Sequence, residues 1–162
     1  MKNSIYLVLI ITLSMVVNAC NTDETDTEKP NVDVTFATAF PTSCDTLYFD
    51  EPFVVKVLLV DNAELGSYNI DIHHNFDQHT HSTEFEVCTF DGKKTAVNPY
   101  TFIQDYTIPE ASTEYTTDIT LTLPSSDGTN PYDEGDYHFQ IKLTDKEGWS
   151  TLLGLNVKIL RR

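Results

Sequence analysis

The sequence predicts an all-β protein, an antiparallel β-sandwich. Apolar and polar residues alternate with a period of two in about seven short runs, as expected for strands with one buried face. Turn-forming residues separate these runs, and no segment longer than about two turns has the helical period. The 162-residue chain is long enough for one domain with a sizeable core.

The first half of the domain contains three predicted strands. Residues 32–36 alternate, and residues 41–45 form a turn. Residues 53–59 are the most hydrophobic run, which favours a central position in a sheet. Residues 65–76 again follow a period of two rather than 3.6.

The second half contributes four regular runs and one less regular run. Residues 85–90 alternate before an Asp-Gly turn, and residues 99–110 are less regular. Residues 119–123, 137–143 and 153–159 complete the predicted set. Trp149, in the turn before the last strand, is interpreted as a cap on the core, with an exposed binding aromatic as the alternative.

A tyrosine-containing motif refines the fold class. The segment Asp133–Phe139 (DEGDYHF) resembles the Asp-x-Gly-x-Tyr-x-Cys pattern that opens strand F of immunoglobulin-like domains. In those domains the tyrosine bonds to nearby backbone. The resemblance implies an immunoglobulin-like sandwich over residues 31–162. Phe139 stands in the place of the cysteine, so the usual core disulfide is not expected.

The N-terminal residues are typical of an exported lipoprotein. Lys2 precedes an apolar tract over residues 5–17, which is too short to anchor the chain in a bilayer. The tract ends at Cys20, where small residues before a cysteine resemble a bacterial lipobox. This resemblance implies a signal peptide at residues 1–19 and lipidation of Cys20; an ordinary secretory signal is the alternative.

Residues 20–30 form an acidic linker between the lipid and the domain. No residue from 21 to 29 is apolar, so this segment is not expected to help bury a core. Its acidic residues resemble the surface-export signals of Bacteroidetes lipoproteins, and a plain solvated tether is the alternative. We expect a lipid-anchored protein of the outer membrane that faces the periplasm or the cell surface, with an envelope protein as a candidate partner.

The charge excludes some partners. The net charge is −15, from 10 basic and 25 acidic residues. Such a surplus argues against binding to nucleic acid and against electrostatic attraction to anionic lipid. We interpret the acidic surplus as a solvated face.

Two cysteines remain after Cys20. In an exported domain, Cys44 and Cys88 are expected to form a disulfide. A pair of thiolate metal ligands is the alternative.

The candidate functional residues lie in residues 71–81, which contain four of the five histidines. On an extended chain, His73, Asp77, His79 and His81 share one face. A His-x-His pair on extended chain can chelate a divalent transition metal, because alternate side chains reach one ion. His74 has the opposite parity and is interpreted as structural.

The fifth histidine joins this group by parity. Tyr137, Phe139 and Ile141 are expected to face the core, so His138 faces outward on strand F. It then lies beside the end of the neighbouring strand C, the predicted strand at residues 65–76 that carries His73. We therefore predict a zinc site, with copper as the second choice and calcium disfavoured by the imidazoles. The predicted ligands are His73, His79, His81 and His138, with Asp77 as an extra ligand or a partner of a ligand.

Two other interpretations of the histidines remain open. They can form a solvated polar edge that binds metal weakly, or a pH-sensitive contact surface. We do not expect an enzyme, because the sequence contains no known hydrolase, phosphate-binding or dinucleotide-binding motif.

The histidine stretch also carries a family resemblance. The pattern Ile-His-His-Asn-Phe-Asp-x-His-x-His-Ser at residues 72–82, with the lipobox and the acidic linker, resembles an uncharacterised family of Bacteroidetes lipoproteins, domain of unknown function 4625. The resemblance implies an immunoglobulin-like fold and an envelope location, and it implies no reaction. The predicted function is metal capture, delivery or buffering; a non-enzymatic adhesion or interaction module without a metal is the alternative.

Overall fold

A computed structural model describes residues 25–81, 83 and 88–162 of the chain. This part is all-β and has no helix, as predicted, and it contains ten strands rather than the expected seven or so. The strands are β1 (Asn31–Asp33), β2 (Thr46–Tyr48), β3 (Pro52–Val55), β4 (Leu58–Val60), β5 (Leu65–His74), β6 (Phe102–Thr107), β7 (Glu114–Thr116), β8 (Ile119–Thr122), β9 (Gly135–Asp145) and β10 (Ser150–Leu160). Among these residues, no helix is long and apolar enough to cross a membrane.

The larger layer of the sandwich is a five-stranded sheet in the order β2-β10-β9-β5-β6. Its three long strands, β5, β9 and β10, pair antiparallel. The predicted antiparallel sandwich is confirmed, and among the described strand pairings the parallel pairing of the edge strand β2 with β10 is the one exception. Alternation of side chains does not encode the direction of a strand, so the sequence pattern gave no sign of this pairing.

The opposing layer consists of two small sheets, β1-β4-β7 and β3-β8. The hydrophobic run at residues 53–59, predicted as one strand, is interrupted between β3 and β4. At the break, the buried hydroxyl of Thr117 accepts from the Val57 backbone amide at 3.0 Å and donates to the Val55 carbonyl at 2.9 Å. One side chain thus satisfies backbone groups that the ladder leaves unpaired.

The core lies between the layers and is filled by the alternate residues of the strands. Leu59, Ile70, Phe139 and Leu155 are all fully buried there. Tyr137 is also fully buried, and its hydroxyl donates to the Asp133 carbonyl at 2.6 Å. This is the backbone contact that the Asp133–Phe139 motif predicted.

The long connection from β5 to β6 folds back onto the five-stranded sheet. The backbone amide of Gly154 in β10 donates to the Thr83 carbonyl at 3.0 Å. The Asp91 amide donates to the Asp136 carboxylate at 2.7 Å. Residues 85–87 of the strand predicted here lie outside the described residues, and Cys88–Phe90 is not a strand.

The predicted disulfide ties this connection to the edge of the sheet. Cys88 is bonded to Cys44, which lies just before β2. The Cys44 backbone amide in turn donates to the Asn156 carbonyl of β10 at 2.7 Å. The bridge therefore holds the middle of the connection against the edge where β2 and β10 meet.

Candidate metal centre

Two strands and one loop bring four histidines together. His73 ends β5, and its partner across the β5–β9 ladder is His138. His79 and His81 lie on the connection that folds back over the sheet. One nitrogen from each of the four rings lies within 4.8 Å of the others, so the group can hold a metal ion.

Carboxylates orient two of the four rings. The Nδ1 atom of His73 lies 2.7 Å from Asp71 Oδ1, and that of His79 lies 2.6 Å from Asp77 Oδ1. A carboxylate accepts the Nδ1 proton and leaves Nε2 with its lone pair free. This carboxylate–histidine arrangement is the usual support of an imidazole metal ligand.

Asp77 therefore contacts the ring of the candidate ligand His79, the position predicted for a partner of a ligand. Its side chain is 67% exposed, and the hydrogen bond from His79 lowers its pKa. Asp71 makes the same contact, but the sequence interpretation did not assign it this position. The repeated Asp-x-His spacing, at Asp71-x-His73 and Asp77-x-His79, is the signal that could have identified both carboxylates.

His138 forms the buried floor of the cluster. Its ring is fully buried, although the sequence parity placed it on an exposed outer face. The parity is correct, since Tyr137 and Phe139 face the core. The β5–β6 connection covers this face, and it also buries Gln140 and Asn156. The prediction of an entirely surface site was therefore wrong at this position.

The hydrogen bonds of His138 identify its free nitrogen. Nε2 lies 3.2 Å from the carbonyl of His79 and can donate to it. Nδ1 is buried and has no hydrogen-bond partner. Burial, followed by the neighbouring imidazoles of His81, His79 and His73, lowers the pKa of His138 to about 4. The ring is thus neutral near pH 7, the form that binds metals.

The remaining predicted residues fall into two groups. His74 lies outside the cluster, and its ring packs 4.9 Å from that of Phe76, as expected from its parity. The signal peptide at residues 1–19 and the lipidation site Cys20 lie outside the described residues.

Comparison with known proteins places the chain in a family. The model of Domain of unknown function (DUF4625) matches residues 18–160. The chain belongs to the DUF4625 family. No curated protein matches the chain significantly.

One solved structure similar to this DUF4625 chain is Spo0M, a sporulation control protein from Bacillus subtilis. The two are 9% identical, with a TM-score of 0.38. The alignment covers 83% of this chain and 49% of Spo0M, so the chain spans about half of that protein.

Proposed function

We propose that this DUF4625 protein binds one divalent transition-metal ion, with zinc as the first choice, through His73, His79, His81 and His138. The convergence of four imidazole nitrogens within 4.8 Å carries the proposal. Two independent features support it. Asp71 and Asp77 fix two of the rings through Nδ1, and His138 retains a buried Nδ1 that no protein group satisfies.

One pair of nitrogens has the separation expected of neighbouring ligands around a tetrahedral zinc ion. The Nε2 atoms of His73 and His81 lie 3.4 Å apart. A tetrahedral zinc ion with bonds of about 2.0–2.1 Å separates its ligand atoms by about 3.3–3.4 Å. Square-planar copper(II) with similar bonds brings neighbouring nitrogens to about 2.8–3.0 Å, so this pair would have to move closer.

The number of ligands favours capture, delivery or buffering over catalysis. Four imidazoles fill the tetrahedral shell of zinc, whereas a catalytic zinc keeps one position open for water or substrate. Three of the ligands are only partly buried, so an ion can enter and leave from solvent. The net charge of −15 raises the local concentration of cations around the protein.

The proposed location is the outer membrane, with the domain anchored through a lipidated Cys20. The residues before the domain support this location through their resemblance to a lipobox and an export linker. A metal-binding domain held there would act on ions that pass through the envelope.

The test is the metal content and metal affinity of the full-length protein, purified in detergent without a histidine tag. We expect about one equivalent of zinc, with a dissociation constant of roughly 10⁻⁶ M or below, since four preformed imidazole ligands favour a tight site. Replacing both His79 and His81 by alanine removes half of the ligands. The double variant is expected to lose this binding while keeping the β-sheet signal in circular dichroism.

His74→Gln is the matched control, because His74 is the one described histidine outside the cluster. It should keep its zinc. Binding only in the millimolar range in the wild type, or equal loss in the His74 variant, contradicts the proposal. Retained binding of an envelope partner by the His79/His81 double variant, with no zinc bound to the wild type, would instead indicate an interaction module.

A further inference from the structure

Three aspartates converge at the other end of the domain. Asp61 follows β4, Asp145 ends β9, and Asp26 belongs to the segment that precedes β1. One carboxylate oxygen from each lies within 4.8 Å of the others. No imidazole or thiolate belongs to this group, in contrast to the histidine cluster.

Each aspartate uses one oxygen to close a local turn. Asp61 accepts from the Ala63 backbone amide, and Asp26 accepts from that of Glu28. Asp145 accepts from the amides of Gly148 and Trp149 at 2.6 and 2.8 Å. These short-range bonds orient the carboxylates, because the chain must turn at each position.

The second oxygen of each carboxylate is buried and has no hydrogen-bond partner. Asp61 is 6% exposed and Asp145 is 5% exposed, so two of these unpaired oxygens belong to almost fully buried residues. Buried carboxylates are normally paired with a cation or with hydrogen-bond donors. The unpaired oxygens therefore point to a ligand.

Among the described residues, no positive charge balances these carboxylates. Within the part of the chain that the structure describes, no lysine or arginine forms an ion pair with Asp26, Asp61 or Asp145. The nearest lysine in sequence, Lys146, pairs with Glu64 instead. Three carboxylates left together without a cation repel one another.

We propose that Asp26, Asp61 and Asp145 form a calcium site that binds the linker to the domain. Calcium takes six to eight oxygen ligands at about 2.3–2.6 Å, so oxygens up to about 5 Å apart can share one ion. Three carboxylates supply part of this shell, and water can supply the rest. A cleft of about 250 Å³, lined by residues 25–28 with Asn62 and Ala63, reaches Asp26 from solvent.

The site explains why an otherwise polar linker lies against the domain. Asn62 donates to Asp26 Oδ1 at 2.9 Å, and the indole of Trp149 donates to the Asp26 carbonyl at 3.0 Å. Both contacts fall on the residue that supplies a calcium ligand. A bound ion would join these contacts to the two carboxylates of the domain and hold the linker in place.

Trp149 provides the readout, since it is the one tryptophan of the chain and contacts a ligand residue. The full-length protein, freed of metals and kept in detergent, is titrated with calcium while the indole fluorescence is recorded. We expect a saturable change with a dissociation constant of about 10⁻⁵–10⁻³ M, and binding of magnesium at least about tenfold weaker. Terbium at the same site should give luminescence sensitised by Trp149, and calcium should displace it.

Asp26→Asn is the decisive variant, because Asp26 lies outside the sandwich and its loss should leave the fold intact. It is expected to weaken calcium binding at least about tenfold. Asp127→Asn is the matched control: this carboxylate also accepts local amides in a turn, from Thr129 and Asn130, but lies outside the cluster. It should bind calcium within about twofold of wild type.

Three results would overturn the proposal: no saturable response below about 10 mM calcium, which lies above the range of extracellular calcium sites; equal affinity for magnesium; or unchanged affinity in Asp26→Asn. The measurement is independent of zinc, since it is repeated in the His79→Ala/His81→Ala variant. That variant is expected to keep its calcium response whether or not the zinc proposal holds.

Discussion

The two clusters lie at opposite ends of the same pair of strands. The β5–β9 ladder matches His73 with His138 at one end and Leu65 with Asp145 at the other. From His138 to Asp145, β9 rises by about 23 Å. Candidate nitrogen ligands thus lie at one end of the sandwich and candidate oxygen ligands at the other.

The two ends are assembled differently. At the histidine end, His79 and His81 are placed by a long connection, which a disulfide and scattered hydrogen bonds hold on the sheet. At the aspartate end, each carboxylate is fixed by a turn of two to four residues. Substitutions that remove contacts between residues distant in sequence should therefore weaken the histidine end and leave the aspartate end intact.

Removing the disulfide is expected to give the largest difference between the effects on the histidine end and on the aspartate end. Replacing Cys44 and Cys88 by serine opens a loop with a sequence separation of 44 residues. The free energy of unfolding should fall by about 3–4 kcal/mol on the chain-entropy model. Urea unfolding measures this loss. Zinc affinity should fall with it, because the middle of the histidine connection loses its covalent attachment to the sheet edge, while the calcium midpoint stays within about twofold. An equal loss of zinc affinity and calcium affinity would contradict the inference that the two ends are assembled differently.

Acid should destabilise the metal-free protein through His138. Its pKa is about 4 in the fold and about 6.5 in an unfolded chain. Between these values the unfolded state binds a proton that the native state does not, so stability falls as the pH drops from 6.5 to 4. The loss is up to about 3 kcal/mol. Urea unfolding at several pH values should show a smaller loss in His138→Gln, and identical slopes would contradict this assignment.

Asp71→Asn tests whether the carboxylate of Asp71 orients the ring of His73 for metal binding. The amide cannot accept the Nδ1 proton as strongly, so zinc affinity should fall about 10–100-fold, as for other partners of metal-bound histidines. A chelator competition assay measures this change. Asp105→Asn is the control, since Asp105 is an exposed carboxylate on the neighbouring β6 that bonds to Asn69. Calcium binding should not change in either variant, and an equal zinc loss in both would argue against orientation by Asp71.

Gly154→Ala should give the smallest effect. An added Cβ would lie 3.3 Å from Thr83 Oγ1 and 3.4 Å from the Thr83 carbonyl oxygen. The connection must then shift by a few tenths of an ångström, and zinc affinity should fall about two- to fivefold. Isothermal titration can detect this difference. Gly92→Ala is the control on the same connection, where a Cβ meets nothing within 4 Å, and it should bind zinc like wild type.

The pairing of His73 with His138 was predictable because it depends on parity. His73 and His138 lie on strands whose alternation is regular, and the tyrosine motif placed those strands side by side. The burial of His138 was not predictable. It depends on the path of the β5–β6 connection, which has no periodic pattern and is held by contacts such as that of Asp91 with Asp136, 45 residues away.

The aspartate end was missed for a related reason. A linker without apolar residues has no hydrophobic reason to dock, and its acidic residues were interpreted as an export signal or a solvated tether. Asp26 nevertheless contacts Asn62 and Trp149, which lie 36 and 123 residues away. Trp149 is 41% exposed and holds the linker, so its interpretation as a cap on the core was wrong. Hydrogen bonds across such separations leave no trace in local sequence patterns.

The docking of Asp26 also bears on where the histidines stand relative to a membrane. If Cys20 carries the lipid, the chain from Cys20 to Asp26 spans at most about 22 Å. A linker fastened at Asp26 would keep the aspartate end of the domain within that height of the bilayer and leave the histidine end about 23 Å farther along β9. External calcium would then reduce the free length of the linker between the lipid and the domain. The proposed zinc-binding end would be held pointing away from the lipid.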